Sequence, residues 1–350
     1  MVRPLLTFGD NQPLKKRKQP AGAKRLKLRH TLGMSIKVLP VNPRKPQSQA
    51  NVATLRASGR RKVLRVLGLL VTASMGGCNL RDEAFDGADA PDERPTGLVY
   101  PMAWVLSSGG PRGFTHVGVL KALDEMGCKP DLVVGSSVGA LIGCLYAAGL
   151  NVASLEKLAM ETNISNFIQP TLGGDEWLSV AGVGRMVNTL LQNKPLQRLS
   201  MAFAAVAIDK KSRQPRAFNW GNAGGAVQAA CAMEGRTSSV SIRGRQYVDS
   251  DFVTPMPVRI ARNIGAVRVL AVDVSAYEDK APAGTERYRA SDLRKRALTA
   301  PEVQLADLTL HPETSYYAGT SSEYRASCIR AGYEQTLANK TALLALHRRS

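Results

Sequence analysis

Gly135-Ser136-Ser137-Val138-Gly139 stands between the apolar run Asp131–Val134, bounded by Pro130, and the stretch Ala140–Leu150. Val138, Leu141, Ile142 and Leu145 recur there at helical spacing. This order predicts strand, sharp turn and helix, with a serine at the apex. Gly135 and Gly139 lack Cβ atoms, so strand and helix can pack closely and Ser137 is pushed into a strained, exposed position. The helix N-terminus then aims free N–H groups and a positive dipole end at the serine oxygen. G-x-S-x-G alone recurs by chance. Its flanking strand and helix are what favour a nucleophile elbow here.

A second glycine-rich turn lies upstream. Tyr100–Leu106 reads as the first strand of the folded part and runs into Ser107-Ser108-Gly109-Gly110-Pro111-Arg112-Gly113. A helix follows, with Phe114, Val117, Leu120, Leu123 and Met126 on one face. Strand, glycine-rich turn and helix also open a dinucleotide site. The spacing here is not G-x-G-x-x-G, however, and no acidic residue closes a second strand about 20 residues on. Ahead of an elbow, such a turn supplies backbone N–H donors to an oxyanion.

Charge separates the chain into two parts. Residues 1–65 carry 17 Lys and Arg against Asp10 alone, whereas the remaining 285 hold 30 bases and 27 acids, out of a total of +19. The basicity therefore belongs to a leader, and a nucleic-acid partner is not expected. Residues 1–59 have the composition of a disordered segment. A basic block, Arg60-Arg61-Lys62 with Arg65, then precedes an apolar stretch, Val66–Ala73, and small residues before Cys78. Basic, apolar and small in that order is a secretory signal, too short to span a bilayer, which takes about 20 residues. The pattern resembles the bacterial lipoprotein signal, with Met75 where leucine is usual. It implies lipidation of Cys78, attachment to the cell envelope and, with Asn79 next, the outer membrane. The length of the leader predicts a start codon nearer residue 55. Domain boundaries follow: 1–77 leader and signal, 78–98 a polar, solvated tether, 99–350 the folded domain. Cys128, Cys144 and Cys231 read as small buried hydrophobes, and the cysteine spacing suggests neither zinc nor a redox dithiol.

Downstream, residues 151–200 hold amphipathic pieces, including Trp177, that suit helices packed on a sheet or, less commonly, a lid or interfacial surface. Met201–Ile208 and Arg216–Asn219 read as strands, Gly221–Met233 as a tightly packed helix, and Val240–Val248 as a hairpin turning at Arg243-Gly244. Pro255-Met256-Pro257 opens a short helix, and Val267–Val274 is a strand. Residues 278–300 are expected to be irregular, and a helix of about 25 residues starts at Ser322.

Three motifs resemble the patatin-like phospholipases: Ser108-Gly109-Gly110-Pro111-Arg112-Gly113, the elbow, and Val248-Asp249-Ser250-Asp251 leading to Pro255-Met256-Pro257. The likeness spans roughly residues 100–275. It implies an α/β, three-layer fold, with a central, mostly parallel sheet and helices on both faces. It also implies a Ser–Asp dyad: Ser137 as nucleophile, Asp249 as base, and an oxyanion hole in the turn of Gly109, Gly110, Arg112 and Gly113. Ser250 departs from the glycine usual after the Asp, Ser108 from the first oxyanion glycine, and Glu234 from a proline.

The resulting expectation is a serine acyl hydrolase of phospholipids or other lipid esters, needing no cofactor or metal. A Ser–Asp–His esterase through Asp249 or Asp273 and His311 stays open, as does a weakly active envelope-binding protein. His116 reads as structural, His347 as a solvated tail residue, and Asp209 and Asp251 as capping or turn residues. An unperturbed Asp base predicts activity persisting below about pH 6 unless burial raises its pKa.

Overall fold

The computed structural model describes residues 84–172 and 174–348. The leader, Cys78 and the first part of the tether lie outside the described residues. All described residues belong to one compact unit, Met75–Ser350.

Five parallel strands form the centre of the sheet. They are β1 (Tyr100–Leu106), β2 (Leu132–Ser136), β5 (Ala202–Asp209), β9 (Ala266–Val272) and β10 (Leu308–Leu310), in the order β10-β9-β1-β2-β5. β6 (Pro215–Phe218) and β8 (Arg245–Asp249) run antiparallel to β5, and β7 (Val240–Ile242) pairs antiparallel with β8. Side chains alternate across each strand. On β1, Trp104 and Leu106 face one apolar cluster while Ala103 and Val105 face another. The first cluster is covered by α1 (Phe114–Glu125), α2 (Val138–Ala147), α4 (Ala181–Leu190), α5 (Ala223–Ala230) and α8 (Ser322–Ala338). α6 (Val258–Ile264) and the end of α7 (Arg289–Leu305) cover the second. The expected three layers are present. α3 (Val152–Glu161) packs beside α1, and a two-stranded hairpin, β3 (Gln169–Pro170) with β4 (Leu178–Ser179), stands off the main sheet.

The register of β5 creates the site. β6 pairs with β5 at Ala205–Ile208. β2 pairs with it at Ala202–Val206, and β8 at Ala207–Asp209. Because β6 overlaps both of these partners, β2 and β8 must share the opposite edge of β5 in succession. β2 ends at Ser136 where β8 ends at Asp249, so the two strand ends abut.

Four expectations are corrected. Residues 289–305 form a helix with Pro301 inside it, not an irregular stretch. The C-terminal helix is two, α8 and α9 (Lys340–Arg348), joined at Asn339. The tether is in part folded. Phe85 bridges Ile242, Asp92 bridges Trp220, and Ala90 and Pro91 are buried. His347 is half-buried, accepting a hydrogen bond from Trp104 Nε1 at 3.2 Å.

Candidate active site

Ser137 heads α2 with φ 52° and ψ −125°, a conformation costing a non-glycine residue about 1–3 kcal/mol. The turn is this tight because its glycines touch backbone. A Cβ on Gly135 would fall 2.5 Å from Ala140 N, and one on Gly139 would fall 2.2 Å from the Leu106 carbonyl oxygen. The serine therefore stands at the C-terminal edge of the sheet, on the N-terminus of a ten-residue helix.

Asp249 meets it from the end of β8. The carboxylate is buried and takes a hydrogen bond from the Ser137 hydroxyl and another from Asp251 N at 2.9 Å. Burial, and next the Asp251 carboxylate, push its pKa up to about 7, with the Ser137 bond opposing them. A carboxylate poised there accepts a proton at neutral pH. Burial thus supplies the exception attached to the pH expectation: with its pKa pushed up to about 7, Asp249 is mostly protonated below about pH 6.

The glycine-rich turn lies beside this pair. Gly109 sits at φ 169° with its N–H bound by none of the described residues, and Gly110 follows at φ 53°, a left-handed conformation that favours glycine. The Arg112 N–H donates to the Gly109 carbonyl at 3.2 Å, so it is spent and unsuited to an oxyanion. Its guanidinium instead ties the turn to the Tyr316 carbonyl. Gly113 is buried against Val138. Of the four turn residues, the Arg112 N–H is engaged within the turn and Gly113 is packed against Val138, while none of the described residues binds the Gly109 N–H.

The departures from the family pattern have structural accounts. Ser250 is buried without a left-handed backbone, its hydroxyl 2.7 Å from Ser136 Oγ and 3.2 Å from the Val206 carbonyl. Serine therefore needs no glycine-like backbone there, and its hydroxyl is hydrogen-bonded. Glu234 makes a surface ion pair with Arg213 at 2.7 Å, of little energetic consequence. The Ser108 hydroxyl donates to Asp251. Asp251 also receives Lys295 Nζ at 2.6 Å. Burial would raise the Asp251 pKa, but Lys295 and then Ser108 outweigh it and hold it below the usual carboxylate range. Asp251 thus links the Asp249 loop to the glycine-rich turn and to Lys295, more than a capping role. Asp209 does act at a turn, accepting from Ser212 N at 2.9 Å and from Arg245 at 2.7 Å.

Among the described residues no histidine is hydrogen-bonded to Ser137 or Asp249. Buried His116 bonds the Ser107 carbonyl through Nε2 at 2.9 Å, and burial lowers its pKa to about 4. It is a neutral structural residue. His311 stacks on Tyr277 at 4.2 Å and binds the Asp273 carbonyl at 3.0 Å. Burial would raise Asp273, but hydrogen bonds from His311, Ser275 and Tyr277 hold it far below the ordinary range. Asp273 and His311 therefore form a unit of their own. Lys295, and Cys231, whose thiol lies 3.3 Å from the Ser137 carbonyl, are neighbours that sequence reasoning missed. Lys295 stands in a run of bases, 44 positions from Asp251, with nothing local to single it out.

A strained serine at the head of a helix, facing a buried Asp beside a glycine-rich turn on a three-layer α/β sheet, defines a hydrolase-type site. Residues 104–262 match the family model for patatin-like phospholipase. That segment, a little under half of the chain, is similar to the patatin-like phospholipases. Patatin-like phospholipase domain-containing protein 6 of Mus musculus and of Homo sapiens is 29% identical over 186 residues, covering 51% of this chain and 14% of the relative. An NTE family protein of Mycobacterium bovis is 27% identical over 179 residues, 51% of this chain and 50% of its own. The chain thus spans half or less of these relatives' lengths. VipD from Legionella pneumophila shares the fold, with a TM-score of 0.50 at 12% identity over 79% of this chain and 73% of that one.

Proposed function

We propose that this protein is a serine acyl hydrolase that cleaves fatty acyl esters of phospholipids or related lipids through Ser137 and Asp249. The observation that carries the reading is the Ser137 hydroxyl, at the strained head of α2, hydrogen-bonded to the buried Asp249 carboxylate. Asp249 takes the serine proton as Oγ attacks the ester carbonyl, and the Gly109 and Gly110 N–H groups stabilise the oxyanion. The departing alcohol takes the proton back, leaving an acyl-serine. Water, deprotonated by Asp249, then releases the fatty acid. Lipid substrates are supported by the similarity to the patatin-like family and by relatives named as phospholipases. A histidine base finds no support in the contacts of His116, His311 or His347.

The test is labelling by a fluorophosphonate probe. Wild type and Ser136→Ala are expected to label and to hydrolyse lipid esters, and Ser137→Ala to do neither while remaining folded. Labelling retained in Ser137→Ala would overturn the assignment. Lipid attachment at Cys78 and an outer-membrane location belong to the same proposal. A palmitate analogue fed to a bacterial host should label wild type and not Cys78→Ser, and an unlabelled wild type refutes the anchor.

A further inference from the structure

Parallel strands β1, β2, β5 and β9 all end on the edge of the sheet that carries Ser137. The β3–β4 hairpin is fastened at that same edge. Lys210, just past the end of β5, pairs with Asp175, and Ser239 donates to Asp175 through both its N–H and its hydroxyl at 2.8 Å. Ser238 N also binds the Leu178 carbonyl at 2.7 Å. Held this way, the hairpin presents Trp177 at 81% exposure and Leu172 at 55%. Leu178 beside them is exposed as well. A second apolar rim flanks Asp249. Phe252 is 45% exposed three residues further on, and Leu293 is 44% exposed on α7. The Lys295–Asp251 ion pair anchors that helix to the base loop. Residues 287–296 hold five bases against Asp292, Lys295 among them being paired with Asp251, and the β5–β6 turn adds Lys211, its Lys210 and Arg213 being paired with Asp175 and Glu234.

A tryptophan 81% exposed just before β4 leaves its apolar face in water. Tryptophan carries a large apolar face and one N–H donor, a combination that suits the boundary between water and acyl chains. Cations arrayed beside such side chains attract an anionic lipid surface. We propose that this rim is a docking face for an anionic phospholipid bilayer, with Trp177 and Leu172 entering the interface and the basic first half of α7 lying on the head groups. Seated so, Ser137 would face the ester groups just below the head groups, and in that respect the inference rests on the hydrolase reading.

The test is local, because the basic residues 1–65 would hold the chain on anionic vesicles unaided. The full chain carrying Ser137→Ala is mixed with vesicles of phosphatidylcholine and phosphatidylglycerol in equal parts, with and without brominated acyl chains. No hydrolysis enters this measurement, so it stands or falls apart from the catalytic reading. Of the three tryptophans, Trp104 is fully buried and Trp220 lies under the Arg94 guanidinium, 3.5 Å from its centroid. A change in emission therefore reports Trp177. The expected result is a blue shift and quenching by bromolipid, both absent in Trp177→Leu and weak on pure phosphatidylcholine. Arg294→Glu should raise the anionic lipid needed for half-maximal quenching about fivefold or more. Protein that sediments with the vesicles while Trp177 emission stays unshifted and unquenched would overturn the proposal. Equal quenching on neutral vesicles would overturn its electrostatic half.

Discussion

Burial and the Asp251 carboxylate raise the Asp249 pKa to about 7, against about 4 for the same group in an unfolded chain. Between those two values the folded protein binds a proton that the unfolded chain has released. The stability tied to that proton is full at low pH and is lost as pH rises through the window, on the order of 4 kcal/mol in all. Asp249→Asn removes the titration. Its Tm is expected to exceed wild type clearly at pH 8 and to match it near pH 4.5, with turnover down by several orders of magnitude. Melts at the two pH values check this, and a Tm difference independent of pH would refute the buried, titrating carboxylate. On the proposed mechanism the same charges are expected to place the acid limb of activity at about pH 7. Lys295 lowers the Asp249 pKa and Asp251 raises it. Lys295→Met should therefore move the limb to higher pH and Asp251→Asn to lower pH, each by about one unit. Shifts of the same sign in both variants would contradict the arrangement.

Helix α1 carries the glycine-rich turn at its head, so its seating against α8 affects the site. At Gly118 the two helices approach so closely that an added Cβ would lie 1.8 Å from the Ile329 carbonyl oxygen and 2.8 Å from Tyr333 N. Backbone atoms cannot swing aside as a side-chain tip can. Gly118→Ala must therefore displace α8, with an overpacking cost of about 1–3 kcal/mol or more. A Tm lower by about 5 °C is expected on calorimetry, and an unchanged Tm would contradict the contact. Such packing was invisible in the sequence, where Gly118 looks like any helical glycine. What could be read was local. The apolar runs of β1, β2, β5 and β9 and the helical spacing of α1 and α2 announced themselves, as did Ser137 and Asp249 through their motifs. α7 was not legible because its buried residues are Thr299 and Glu302, with the Glu302 carboxylate accepting from Arg259 N at 2.7 Å. Only the last turn of that helix, with Val303 and Leu305, meets the apolar cluster, and the rest is held by polar contacts, so no apolar stripe runs along it. β3, β4 and β10 are two or three residues long, too short for a period to register.

Over the whole molecule, the boundary of the folded unit falls earlier than composition suggests. Residues 79–96 are acidic and polar, which reads as a solvated tether, but backbone pairing overrides composition there. Phe85 N donates to the Ser241 carbonyl at 2.9 Å, and Arg243 N returns a bond to the Phe85 carbonyl at 3.1 Å. Asp92 N binds the Trp220 carbonyl at 3.0 Å, and the Asp92 carbonyl accepts from Asn219 and Trp220 at 3.1 Å. The Phe85 ring lies against Gly225 of α5, where a Cβ would come within 2.7 Å of it, and Arg94 stacks over Trp220 at 3.5 Å. This segment clasps β6, β7 and α5, and α5 leads directly into Cys231 beside Ser137. Removing it exposes the face of α5 under Phe85 and leaves the β7 edge unpaired. A burial loss of one aromatic ring together with several net hydrogen bonds amounts to about 3 kcal/mol or more. A chain trimmed to begin at residue 84 is therefore expected to melt like the full-length protein. One trimmed to begin at residue 99 should melt several degrees lower and show weaker probe labelling at Ser137, although every motif residue is still present. Equal Tm and equal labelling in the two trimmed chains would show that residues 84–98 are the tether that composition implies.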